Sequence, residues 1–478
     1  MPAMFLAKSE EQMTKIAAWT REELGGPKLG DARRDRRFLQ IVTAVGLNPH
    51  GRVSESIPAG AERQAAYDFL EHASVRADLV TKAVSRGCAR QCSDFDEVLV
   101  PLDGSSLSLR DTKRSKGFGG VGARARGGVG LKMVTAMALS PKGQPVGLLA
   151  QKWWARTGKA PKKSKIRALK ERESQHWHDA ITQATESVRE CAPRTQLHFL
   201  IDREGDASLL MQRLIEEDHH FTIRANGTRK VINAKGRRIN VRNFLRAKAP
   251  TIVHRIRLKP NAKREGRQAT LTLRYATVQL VMRDRHTHKR EPMTVAAVWA
   301  LEEGARGRDR INWLLYTTAP VKSAKDAIET LERYTYRWQV EEFHRAWKRG
   351  GCEVEETQLR SKDAVIKWAT VLAVVAVRAE KLKLAARETP DAPASEHFSA
   401  DELEAIVLLK REEKRRNESV GDEPPSLASA VRWLADLGGY VGGKSSGPPG
   451  ATVIGRGLLR IAPIAKILPA MRARGKLR

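Results

Sequence analysis

Two stretches decide the fold: "DEVLVPLDG" (Asp96–Gly104) and "TQLHFLIDREGD" (Thr195–Asp206). Each is a short apolar run that stops on an aspartate, Asp103 in the first and Asp202 in the second. Runs of this length, bounded by charge and glycine, read as buried strands. Strand ends at the carboxyl edge of a sheet are where open α/β folds place ligands. One such aspartate is weak evidence, because Asp is common where strands stop. Two of them ask for a third element that would justify so much negative charge.

Outward from these stretches the chain alternates. After Asp103 come "SSLSLRD", "LKMVTAMALS" and "GQPVGLLAQKWW", all strand-like, then a charged helix expected over about 164–189. After Asp202 come a helix, "ASLLMQRLIEE", and a strand, "HFTIRAN". This order describes a mixed sheet flanked by helices. A β-rich region over about 228–306, clearest in Pro250–Glu303, looks like an inserted β-subdomain, and "RINWLLYTTA" returns to the main sheet. The glycine-rich "KGFGGVGARARGGVG" (Lys116–Gly130) lacks the ending and the strand-to-helix setting of a phosphate loop, and is expected to be a flexible hairpin tip whose arginines touch DNA.

The segments before and after are helical. "EEQMTKIAAWTREEL" and "AERQAAYDFLEHASV" carry apolar residues at helical spacing. Between them Asp31 is placed to cap a helix whose first turns present Arg33, Arg34, Arg36 and Arg37. That face is either a solvated basic surface or a DNA contact. Helices are expected over about 362–387, 400–415 and 427–437, then a Gly-rich link and a basic amphipathic segment. The division is 1–92 helical, 93–360 an α/β core with the β-insertion, and 361–478 helical.

Composition narrows the class. With 478 residues, 41% hydrophobic, the chain is long enough for a large core. Its 86 Lys and Arg against 55 Asp and Glu leave a formal charge of +31, which points to a polyanionic partner, most simply nucleic acid. Four cysteines argue against a disulfide framework and fit a reducing cytoplasm. Cys88 and Cys92 lack the further ligands that zinc needs. The longest apolar run, "WATVLAVVAVRAE", is broken by charge before spanning length, so no membrane helix is expected.

The third element is "YTYRWQVEEFHRAWKRG" (Tyr334–Gly350). On a regular helix Tyr334, Arg337, Glu341 and Lys348 fall within an arc of roughly 60°. Tyr336, Val340, Phe343 and Trp347 form a separate face suited to packing on the sheet, and Trp338 points toward the polar side. A phenol, a guanidinium, a carboxylate and an ammonium side by side are either exposed i,i+4 pairs or one wall of a phosphodiester site. Three converging carboxylates, Asp103, Asp202 and Glu341, are tolerable with cations; two divalent ions about 4 Å apart would suit phosphoryl transfer.

At these residues the sequence resembles the insertion-sequence-four transposases, whose Y-x-x-R-x-x-x-E-x-x-x-x-x-x-K signature is met by Tyr334, Arg337, Glu341 and Lys348. The words "LGDARR", "AAYDFL", "IDREGD", "INWLLYT", "YRWQVEEFHRAWK" and "LGGY" narrow the resemblance to the Tn-five group, in order from about residue 29 to 440. The resemblance implies a ribonuclease-H-like core with a catalytic, metal-binding triad of Asp103, Asp202 and Glu341, dependent on Mg2+ with Mn2+ able to substitute. It implies cut-and-paste transposition: nicking of the transposon end, attack by the freed 3′-hydroxyl to form a hairpin, hairpin opening, and attack on target DNA by a synaptic homodimer. It further implies DNA contacts by Arg33, Arg34, Arg37, Arg224, Trp313, Tyr334, Arg337, Trp338 and Lys348, with Trp313 receiving a flipped base and the C-terminal segment forming the dimer surface. Gly104 departs from the family, which often has Thr there. Two alternatives stay open: a ribonuclease-H-type nuclease that never joins DNA, and a non-catalytic DNA-binding descendant.

Overall fold

The computed structural model describes residues 17–122, 128–156, 173–248, 251–258, 266–283, 289–306, 310–413, 420–421, 423–442 and 447–473. The tip of the Gly-rich hairpin with its two arginines, the expected start of the helix near 164, and residues 1–16 lie outside them.

Five helices open the chain: α1 (17–24), α2 (Ala32–Leu47), α3 (Val53–Ser56), α4 (Gly60–Glu71) and α5 (Ala77–Cys92). The apolar stripe of α2 puts Phe38, Ile41, Val42 and Val45 into a core shared with α4, where Phe38 stacks on Phe69. Asp31 caps α2 by accepting from the Arg33 amide at 2.7 Å, as its position before the run required. Cys88 and Cys92 on α5 are buried thiols in the core.

The sheet is built from β1 (Glu97–Ser108), β2 (Gly119–Gly120), β3 (Val129–Leu139), β4 (Pro145–Trp154), β5 (Gln196–Ile201), β6 (His220–Arg224), β7 (Lys230–Ile232), β8 (Arg238–Asn240), β9 (Thr251–Leu258), β10 (Arg267–Arg283), β11 (Arg290–Glu302) and β12 (Asn312–Thr317). Its order is β2-β3-β1-β5-β6-β12-β11-β10-β7-β8, with β4 on β3 and β9 on β10. β1, β5 and β6 run parallel and the other pairings are antiparallel. Pro101, which has no N–H to give, falls between the paired positions Leu99↔Leu139 and Leu102↔Ala136 of the β1–β3 ladder. The β-rich region of 228–306 does not form a sheet of its own: β11 pairs with β12 along Ala296–Leu301, so the long strands extend the core sheet.

Helices α6 (Gln175–Cys191), α7 (Ser208–Glu216) and α8 (Val241–Lys248) follow β4, β5 and β8; α9 (Ala324–Thr335) and α10 (Gln339–Arg349) follow β12. The C-terminal part is α11 (Lys362–Glu388), α12 (Ala400–Glu412), α13 (Leu427–Leu437) and α14 (Ala451–Ala473). Ile454, Leu458, Ile461 and Leu468 of α14 are buried among α12 and α13 residues. The apolar side expected to meet a partner copy is therefore spent largely within the chain. Among the described residues no helix is long and apolar enough to cross a membrane.

Candidate active site

The parallel pairing of β1 with β5 runs from Glu97↔Gln196 to Leu102↔Ile201. Asp103 and Asp202 are the next residues on the two neighbouring strands, which lie about 4.8 Å apart; Asp202 follows the end of β5, whereas Asp103 does not end its strand as expected, because β1 runs on to Ser108 paired with β3. Asp202 then caps the tight turn Arg203–Gly205 by accepting from the Glu204 amide at 2.8 Å. Asp206, the last acid of "DREGD", serves the scaffold instead: it accepts from Arg229 Nε at 2.5 Å and from the Asn226 amide at 2.8 Å.

The third acid arrives on α10, which is held on its apolar side. Val340, Phe343 and Trp347 are buried, Phe343 stacks on Trp347, and the Trp347 indole donates to the Ala369 carbonyl at 3.1 Å. His344 Nε2 lies 3.1 Å from the hydroxyl of Thr135, the residue that pairs with Asp103 across the β1–β3 ladder. Burial pushes the His344 ring down to about 3, so it sits there as a neutral partner. Lys348 Nζ donates to Ser105 Oγ at 2.7 Å. No sequence pattern marks Ser105 as a site residue except its position two residues beyond Asp103, which puts it on that aspartate's face of β1.

The expected continuous helix differs in one respect. A 3-10 turn, Tyr336–Trp338, separates α9 from α10. Each residue of such a turn rotates the chain by about 120° instead of 100°, so the four signature side chains stay on one side, but Tyr334 and Arg337 are buried there instead of facing outward. Tyr334 is buried against Trp313, with ring centroids 5.7 Å apart, and its phenol is pushed up to about 12 by burial. Arg337, 8% exposed, donates to Glu341 Oε1 at 2.5 Å. Trp338 is half exposed, with the Arg337 guanidinium 5.5 Å from its ring. Arg224, at the end of β6, lies 5.5 Å from the ring of Trp313. Its guanidinium is depressed by burial and by the nearby Arg203, while Tyr334 and Asp202 act against the shift.

Electrostatics ties these groups together. Burial raises the Asp103 carboxyl to about 7; Arg337 opposes that rise, and the charges of Glu341 and Asp202 add to it. Lys348 is depressed by burial, with Glu355 and Asp103 opposing. Asp103, Asp202, Glu341, Arg337, Tyr334, Arg224, Trp313 and Lys348 thus gather at one site. Arg33, Arg34 and Arg37 do not: Arg33 is exposed and the other two half-buried on α2. Among the described residues no three His, Cys, Asp or Glu side chains are drawn together closely enough to hold a metal ion.

The family of transposase DDE domains matches residues 96–377, from the first residues of β1 into α11, and the family described as transposase DNA-binding matches residues 16–75. The chain belongs to the DDE transposases. In this transposase all three acids fall inside the DDE match, while Arg33, Arg34 and Arg37 fall inside the DNA-binding match. The protein is a DNA transposase whose basic helix and acidic site belong to different parts of one chain. Those parts touch: the Trp368 indole of α11 donates to the Gly51 carbonyl at 2.7 Å, and Arg52 pairs with Glu356 at 3.2 Å.

Proposed function

We propose that this transposase is of the Tn-five type within the insertion-sequence-four family and moves DNA by cut and paste, with Asp103, Asp202 and Glu341 as its catalytic triad. The pairing of Leu102 with Ile201 carries this reading, because it sets Asp103 beside Asp202 where the charge of Glu341 also reaches. Donors that are all carboxylate oxygens suit a hard divalent cation. The raised Asp103 carboxyl fits as well, since burial and two like charges make an ionised cluster costly until a cation compensates it. Bound magnesium, or manganese in its place, would supply charge stabilisation for the attacking and leaving oxygens.

The chain's own residues orient the DNA. Arg337, Arg224 and Lys348 hold backbone phosphates beside the acids, and Arg33, Arg34 and Arg37 grip the transposon end. Trp313 and Trp338 line the place where a base leaves the stack as the end bends into a hairpin, and Tyr334 packs behind Trp313. Water opens one strand, the freed 3′-hydroxyl attacks the other, the hairpin reopens, and the 3′-hydroxyl attacks target DNA. The active species is a homodimer paired through two ends. Precut ends incubated with target plasmid and magnesium test this. Joined product is expected from the native protein, and Glu341→Gln should lose nicking and joining by several orders of magnitude while keeping end binding. Hydrolysis without joining by the native protein, or substantial cleavage by the variant, contradicts the proposal.

A further inference from the structure

Arg337 is a guanidinium with work left over. One terminal nitrogen donates to Glu341 Oε1 at 2.5 Å, the other is buried with no hydrogen-bond partner, and the side chain is 10% exposed. Guanidinium forks match oxyanions that accept from two nitrogens at once, and here a single carboxylate oxygen occupies half of the fork. The contact also occupies one oxygen of the carboxylate and fixes its direction. Glu341 is close enough to Asp103 to raise it, yet its Oε1 is given to Arg337, and no three ligand-type side chains among the described residues converge as an ion requires.

Resting on the triad proposed above, we infer that Arg337 is an interlock: it holds Glu341 out of the divalent-ion site until a DNA phosphate takes its guanidinium. The exchange balances. One ion pair, Arg337 with Glu341, breaks; another, Arg337 with a phosphate, forms and fills the orphaned nitrogen; and Glu341 is released with its charge to join Asp103 and Asp202. A swap of one buried pair for another need not cost much, whereas stripping Arg337 from Glu341 with no replacement leaves a guanidinium unpaired. Ion and DNA must then bind cooperatively, each tightening the other by the same factor. Arg337 acts here as a positioning residue, and the consequence is an enzyme that binds its ions weakly before its substrate is in place.

The test is Mn2+ binding, followed by loss of the free-ion paramagnetic resonance signal. Full-length protein is titrated with and without a saturating duplex carrying the terminal sequence that the native protein selects from a random pool. Glu341→Gln in the same duplex subtracts ions bound by DNA alone. The duplex should tighten Mn2+ binding to the native protein by about tenfold or more, and to Arg337→Gln and Arg337→Ala by no more than about twofold. Circular dichroism melting of both variants checks that they fold. Equal tightening with and without Arg337 overturns the interlock while leaving the triad intact. Mn2+ binding unchanged in both Glu341→Gln and Asp103→Asn removes the triad itself, and the interlock with it.

Discussion

Asp103→Asn should abolish catalysis and at the same time make the ion-free protein more stable above neutral pH. The folded site holds the Asp103 carboxyl at about 7 against an ordinary value of 3.8, through burial and the charges of Glu341 and Asp202. Because the folded-state value is raised, the fold keeps a proton that the unfolded chain has already released between those two pH values. Stability therefore falls as pH rises from about 4 to about 7 and levels off above that. At about 1.4 kcal/mol per pH unit, the gap between 3.8 and about 7 amounts to an order of 4 kcal/mol. Asparagine has no proton to lose and keeps the shape. Denaturant midpoints of the two proteins, measured in chelator across this range, should converge near pH ~4 and separate by up to about 4 kcal/mol at pH ~8. Magnesium should then restore the native protein at alkaline pH and leave the variant unmoved, because a ligand stabilises the state it binds. Parallel pH profiles for native and variant would refute the assignment of strain to Asp103.

Replacing Arg33, Arg34 and Arg37 together with alanine should weaken end binding, and each lost phosphate contact should lower the salt slope by about one unit; unchanged binding in a filter or anisotropy assay would place end recognition elsewhere. Trp313→Ala should still nick but stall at the hairpin, with partial rescue by an abasic site at the flipped position, since an aromatic platform repays about 1–3 kcal/mol per unstacked base; normal hairpin yield on a sequencing gel removes it from that step. Lys383→Met leaves Glu342 and the buried Glu380 without their shared ammonium. It should destabilise the protein by about 3–5 kcal/mol, and an unshifted urea midpoint would show that the pair carries no weight.

The two aspartates were legible because a buried parallel pairing advertises itself as an apolar run and its end as the first charged residue; Leu102 and Ile201 precede them in both sequence and register, although β1 itself runs on past Asp103 to Ser108. Glu341 was legible through spacing alone. What spacing could not show is that Tyr336–Trp338 tightens into a 3-10 turn. Nothing in the local propensities of Tyr, Arg and Trp demands it, and nothing in the spacing shows that Tyr334 is buried against Trp313, a contact with a distant strand. The plain alternative for Trp313, a core residue of its strand, is also half right: it is partly buried, yet Arg224 lies near its ring. The β-rich region read as separate because its turns are polar, whereas sheet membership is set by the pairing of β11 with β12, a contact no single-strand pattern encodes.

The longest apolar run shows why burial and charge have to be read together. "WATVLAVVAVRAE" lies in α11, which is buried over most of its length, so its hydrophobicity is that of a central core helix. Three basic residues within and beside it are also buried; Lys367 and Lys383 have ion pairs on α11 itself, with Asp363 and Glu380, and each of the three also reaches a different part of the chain. Lys367 Nζ donates to the Leu70 carbonyl at the end of α4, at 2.7 Å. Arg378 reaches Glu402 on α12 at 3.1 Å, and Lys383 reaches Glu342, next to Glu341 on α10, at 2.6 Å. A charge so deeply buried is costly unless paired, and a pair broken on one side costs several kcal/mol. Each of these three contacts consequently resists sliding or rotation of α11 against its neighbour far more than an apolar contact of equal area, which is non-directional. One helix thereby fixes the DNA-binding segment, the C-terminal helices and the Glu341 helix in a single frame. That is a physical reason for a transposase to keep lysine and arginine where valine would pack as well.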